Sequence, residues 1–159
     1  REDSIFLWEA INYLRFLSSS RRDEILKPIF SSLSQDIDFS DVRCLSWKEV
    51  KTMRQGGMHF GSHGCSHSSL VELSDIEIRK ELLESKRVLE KELSQDCFFF
   101  ALPFGSQLDF NPSIIKKVEE IGYLKCLLNI RGNNLIDSGK FSLKRKSISS
   151  AQDFVSILG

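Results

Sequence analysis

Cys97-Phe98-Phe99-Phe100-Ala101-Leu102-Pro103-Phe104-Gly105 is the stretch that decides the fold. Its first six residues are almost wholly apolar, as in a strand buried on both faces of a parallel sheet. Pro103 and Gly105 end the strand. Upstream, Met58 to Ser62 reads as a brief strand that runs into Gly61-Ser62-His63-Gly64-Cys65-Ser66-His67-Ser68-Ser69, a loop rich in small residues. Downstream, Tyr123 to Leu128 is strand-like, and Phe141 to Ser149 is extended with basic residues.

Helices fill the intervals. Ser74-Asp75-Ile76-Glu77 is a capping box, and the helix after it runs to about Leu93 with Ile78, Leu82, Ser85, Leu89 and Leu93 on its inner face. Its outer face carries offsetting pairs, Glu84 with Arg87 and Lys86 with Glu90, and reads as a solvated face. Asn111 caps a further helix with Pro112 at its first position, and Gly122 stops it. Ser150 can cap a last one. Strands alternating with helices from Met58 onward predict a parallel sheet or barrel with helices outside. In such folds the working groups sit on loops after the C-terminal ends of strands, where the His63–His67 and Pro103–Gly105 loops both fall.

Before Met58 the pattern is helical. Ile5, Leu7, Trp8, Ile11, Leu14 and Leu17 form a broad apolar stripe, and Ser18-Ser19-Ser20 breaks it. A second helical stretch runs from Arg21 to Leu33, and Ser34 to Asp41 is a polar loop. Ser46-Trp47-Lys48-Glu49 is another capping box, whose helix should end at Gly56-Gly57.

The 159 residues carry 22 basic and 22 acidic side chains, a balance that gives no reason to expect nucleic acid or an acidic membrane surface as partner. No apolar run approaches the ~18 residues that span a bilayer. No targeting signal is visible, and the chain begins with Arg1 rather than Met, so its start is expected upstream and the compartment stays open between bacterial cytoplasm and cell envelope. Cys44, Cys65, Cys97 and Cys126 form no C-x-x-C pair and read as reduced thiols.

All three histidines, His59, His63 and His67, lie within nine positions. Imidazole is a common ligand for zinc and similar ions. The four-residue spacing of His63 and His67 brings two rings together on a helical turn or tight loop, and Gly61 and Gly64 let the backbone bend around an ion. A catalytic site takes three protein ligands and leaves one position open, so a carboxylate is wanted as the third. His59 reads as a structural or solvent-facing residue.

Gly61-Ser62-His63-Gly64-Cys65-Ser66-His67-Ser68-Ser69-Leu70, then Leu73-Ser74-Asp75, resembles the histidine motif of the polysaccharide deacetylase (NodB-homology) family, also called carbohydrate esterase family four. Phe99-Phe100-Ala101-Leu102-Pro103-Phe104-Gly105 resembles its next motif in the branch that reads Phe-Ala-Tyr-Pro-Phe-Gly. Leu45-Ser46-Trp47-Lys48-Glu49-Val50 before them resembles the same branch, as do Gly122-Tyr123, Arg131-Gly132-Asn133 and Phe141 to Arg145 after them. The resemblance implies an α/β fold, a partial (β/α) barrel, with residues 1–44 a helical region leading into it and residues 45–159 its C-terminal part. It also implies hydrolysis of N-acetyl or O-acetyl groups on an acetylated glycan. The implied site has a divalent ion, zinc, held by His63, His67 and an aspartate, while a second aspartate acts as base on the attacking water. The backbone N–H of Phe104 would serve the oxyanion, and Pro103 and Gly105 would shape the substrate loop.

The sequence also departs from the family pattern. The Thr-Phe-Asp-Asp-Gly motif that carries both aspartates is absent, and Asp36, Asp38 and Asp41 have neither its strand nor its pairing. The expectation is therefore a barrel truncated at its N-terminal strand, with an incomplete metal site. Gly64 replaces the family's Ser or Thr, which should loosen the loop. Ala101 replaces an arginine that orients the base aspartate, a loss the branch shares. No histidine follows His67, and Arg145 can substitute for the charge of the family's late catalytic histidine or be an ordinary salt-bridge residue. Two alternatives stand beside the enzyme: a catalytically silent carbohydrate-binding domain of the same fold, and a structural zinc site using Cys65 with His63 and His67.

Overall fold

A computed structural model of the protein describes residues 2–33, 43–135 and 139–146. Arg1–Phe60 and Gly61–Gly159 form two compact units. The predicted loop at Ser34–Asp41 with its aspartates, and the Ser150 cap, lie outside the described residues.

The first unit is helical. Helices α1 (Glu2–Arg15) and α2 (Ser19–Leu33) meet where the serine run was expected to separate them. The apolar stripe of α1 is only partly sheltered: Leu7 and Trp8 are exposed, whereas Leu14 and Leu17 are half-buried. Phe6 and Tyr13 add apolar surface outside that stripe, so one buried side of the helix cannot cover all of it. Helix α3 (Trp47–Gln55) has the predicted capping box: the Glu49 N–H donates to Ser46 Oγ, and Glu49 Oε2 accepts the Ser46 N–H at 2.8 Å. Arg43 donates to the same carboxylate at 2.6 Å, and with Ser46 it holds Glu49 well below the usual carboxylate range.

The second unit is a mixed α/β layer with an all-parallel sheet. Its strands are β1 (Phe99–Ala101), β2 (Lys125–Arg131) and β3 (Leu143–Arg145), hydrogen-bonded in that order. Phe100 pairs with Cys126, and Leu127 with Leu143. Helix α4 (Asp75–Leu93) precedes β1, and α5 (Pro112–Glu120) joins β1 to β2. The strand expected over Met58–Ser62 contracts to a single parallel bridge between Ser62 and Phe100. The Ser62 N–H donates to Phe99 O at 2.9 Å, and the Ala101 N–H donates to Ser62 O at 2.8 Å. Gly61 permits this approach, since a Cβ there would stand 2.9 Å from Phe99 Cβ.

Both helices begin and end as read. Ser74 and Glu77 close their capping box, and Asn111 Oδ1 accepts the Ile114 N–H at 3.0 Å, with Gly122 in the left-handed region beyond the end of α5. Ile78, Leu82, Ser85 and Leu93 are buried on α4, as are Ile114 and Val118 on α5. Ile78, Leu82, Ile114 and Val118 pack with Phe100, Leu102, Tyr123, Cys126 and Leu128 into one core. Each large apolar side chain buried there contributes about 1.5–3 kcal/mol. The β1 run alternates rather than being buried throughout: Cys97, Phe100 and Leu102 are buried, Phe99 is half-buried and Phe98 is exposed. The Lys86–Glu90 pair, at 2.8 Å, is also not a plain solvated pair. Lys86 Nζ donates to Cys97 O and Glu90 Oε1 accepts the Cys97 N–H, which fastens the entry of β1 to α4. All four cysteines are free; Cys44 and Cys65 are exposed, Cys97 and Cys126 buried. No described helix is long and apolar enough to cross a membrane.

Candidate active site

His63 follows Ser62 directly, so the sheet bridge fixes its backbone at the C-terminal end of a parallel segment. Its Nδ1 lies 2.7 Å from Ala101 O on β1. A carbonyl only accepts, so Nδ1 carries a proton, and it is Nε2 that would offer a lone pair to an ion. This is the arrangement that orients metal-ligating histidines. The chain then turns sharply. Gly64 has φ +81°, and His67 has φ +53°, a left-handed conformation uncommon outside glycine. The turn brings the His67 ring edge-on to that of His63, with centroids 4.8 Å apart and planes at 81°.

A carboxylate that the sequence reading passed over holds the turn. Glu81 Oε2 on α4 accepts the backbone N–H groups of Cys65 at 2.7 Å and Ser66 at 3.0 Å. Gly64 therefore does not leave the loop untied, and a Cβ there would press against Glu81 Oε2 at 3.0 Å. Glu81 stands three residues after Ile78 and four before Ser85, both buried, so helical spacing already put it on the inner side of α4.

The second loop follows β1. Pro103 is buried, Phe104 has φ +58° and Gly105 φ +67°. Gly105 lies so close to β2 that a Cβ would stand 2.7 Å from Asn129 N, and Gly105 O accepts the Asn129 N–H at 2.8 Å. The Phe104 ring meets His67 edge-on at 4.8 Å. Asp109, fully buried, joins the two loops: Oδ1 accepts Ser69 Oγ–H at 3.0 Å, and Oδ2 accepts the Ser106 N–H at 2.8 Å and also its hydroxyl. No pattern in the sequence marked Asp109, because its partners come from two separate loops.

The structure thus gathers His63, His67, Pro103, Phe104 and Gly105 in one place. Arg145 lies on β3, with β1 and β2 between that strand and the Ser62 bridge. Its Nε donates to Leu128 O at 2.8 Å, across to the neighbouring strand. His59 is exposed. Two imidazoles with converging rings suit a zinc-like ion, and the proton on His63 Nδ1 leaves the other nitrogen to bind it. Among the described residues no group of three or more His, Cys, Asp or Glu side chains is gathered as for an ion, and the Cys65 thiol lies 3.8 Å from Glu81 O. An open depression of about 720 Å³ lies in the first unit, lined by Arg43, Glu49 and Met53 among others, and includes none of these residues.

The histidine pair after one segment and the Pro-Phe-Gly turn after the next place this parallel α/β layer in the class of folds that carry their working groups on loops at the C-terminal ends of strands. The chain belongs to the polysaccharide deacetylase family, whose model matches residues 16–125. YxkH of Bacillus subtilis (strain 168), a protein assigned to polysaccharide deacetylases, is 26% identical over 105 residues, covering 66% of this chain and 37% of YxkH. Among solved structures, the Streptococcus pyogenes deacetylase PplD in complex with acetate superposes with a TM-score of 0.66 at 26% identity, over 74% of this chain and 52% of PplD. BC0361, a polysaccharide deacetylase from Bacillus cereus, shares the fold with a TM-score of 0.62 at 20% identity, over 84% of this chain and 48% of that one. The chain spans about half, or less, of the length of these relatives.

Proposed function

We propose that the protein hydrolyses acetyl groups on a polysaccharide or oligosaccharide, with His63 and His67 as two ligands of a divalent ion, zinc. The observation that carries this reading is the edge-on pair of imidazoles at 4.8 Å, with the proton of His63 fixed on Nδ1 by Ala101 O. Membership of the deacetylase family supports it, and the acetate in the PplD structure is the acid that acetyl hydrolysis releases.

Zinc bound there would polarise the acetyl carbonyl and lower the pKa of water. The chain's own residues orient and stabilise. Phe104 is held in a left-handed turn, and its backbone N–H is the proposed donor to the developing oxyanion. Pro103 and Gly105 fix that turn against β2 and shape the substrate loop. Arg145 donates its Nε–H within the sheet, and its proposed role as a charge in place of a late histidine rests on the remaining guanidinium N–H groups. The third ligand and the general base are proposed to be carboxylates from elsewhere in the protein.

The test is acetate release from an N-acetylated chito-oligosaccharide by the zinc-loaded protein. His63→Ala and His67→Ala are each expected to abolish both zinc retention and acetate release. Unaltered release in both variants would overturn the reading. Sugar binding without any release by the unaltered protein would identify a silent carbohydrate-binding domain instead.

A further inference from the structure

Glu81 is a half-buried carboxylate nearly two turns beyond the start of α4. Its Oε2 accepts two consecutive backbone N–H groups, from Cys65 and Ser66. These residues lie between the two histidines, and the next residue is His67 at φ +53°. Gly64, just before them, is the residue whose missing Cβ leaves room for Oε2. Two donors converging on one ionised oxygen form charge-assisted hydrogen bonds, stronger than neutral ones. A bulky residue stays in the left-handed region only when its surroundings over-determine it. Ring-to-ring contact with His63 and Phe104 constrains the His67 side chain but not the path of the backbone that leads to it.

We propose that Glu81 is a positioning residue: it clamps the backbone between His63 and His67 and so sets the mutual placement of their two rings for an ion. The proposal rests on the metal-site reading given above. Ser85 anchors the same corner from one turn further along α4, where its hydroxyl is 2.7 Å from that of Ser62, next to His63. Helix α4 thus grips the histidine segment at two points, one before each histidine.

The experiment titrates Zn²⁺ into the protein and follows the imidazole signals of His63 and His67 by NMR. The wild type is compared with Glu81→Gln, Glu81→Ala and, as a control on the same helix, Glu84→Ala. Groups that hold metal ligands in place typically change metal affinity by ~10–100-fold when removed. Glu81→Ala is expected to weaken zinc binding by roughly that factor, and Glu81→Gln, which keeps one oxygen acceptor, by less. Amide exchange of Cys65 and Ser66 should accelerate in the same order, while Glu84→Ala matches the wild type in both readouts. If Glu81→Ala fails to fold, Glu81→Gln, with its matching shape, carries the comparison. Wild-type zinc affinity and unchanged exchange in a folded Glu81 variant would overturn the role of Glu81 alone. A wild type whose histidine signals do not respond to zinc would overturn the metal reading and the proposal with it.

Discussion

Single residues at this site are chosen for backbone shape as much as for chemistry. Gly105 is the clearest case, since it combines φ +67° with a Cβ position 2.7 Å from Asn129 N. Gly105→Ala would meet strain and collision together, and should destabilise the protein by more than about 1 kcal/mol, read from urea unfolding. It should also perturb the Phe104 turn, seen as a change in the Phe104 amide signal. His63 and His67 could be singled out in the sequence because closely spaced imidazoles are candidate ligands, and what the structure adds is that their rings meet. Glu81 and Asp109 were not, because what they do depends on which backbone comes to them. Helical spacing puts Glu81 on the inner side of α4, but only the folded loop supplies the N–H groups that it accepts.

Elements whose limits depend on local signals were read correctly, and those that depend on partners were not. Helix α4 starts and ends where its serine cap and final leucine put it. The Ser62 segment is a strand only where β1 offers it hydrogen bonds, so Met58–Phe60, read as strand, has no such pairing. The cap of α4 also gives the molecule an acid-sensitive joint. The Ser74 hydroxyl, and then the Ser74 N–H, lower the pKa of Glu77 in the folded state. A carboxylate with a lowered folded pKa adds stability above its unfolded value, about 4.3, and loses it as pH falls through the folded one. Urea midpoints should therefore decline as the pH drops below about 4.3. Glu77→Gln should make that decline shallower, without removing it, because Glu49 and Glu90 are shifted in the same direction. An unchanged acid slope in Glu77→Gln would count against the cap as its source.

At the scale of the whole molecule, the second unit depends on one core that joins the sheet to α4 and α5. Phe100 is fully buried in it, stacks obliquely on Tyr123 at 5.2 Å and faces Ser62 in the bridge that launches the histidine loop. Phe100→Ala should cost about 3–5 kcal/mol, measured by chemical denaturation, and should weaken zinc binding as well because the bridge loses its support. The broad parallel α/β plan was legible from alternating strands and helices, whereas the uneven burial of α1 was not, since a stripe of apolar residues does not say what covers it. The buried and exposed cysteines have a practical consequence. Burial raises the Cys126 thiol to about 12, whereas Cys44 and Cys65 are open to solvent. A thiol-specific dye should therefore label the native chain in stages: Cys44 first, Cys65 more slowly because partial burial and then Glu81 push its thiol up, and the inner pair only as the core opens. Because Cys65 lies between the two histidines, its labelling rate can also act as a built-in optical reporter of what happens at that loop.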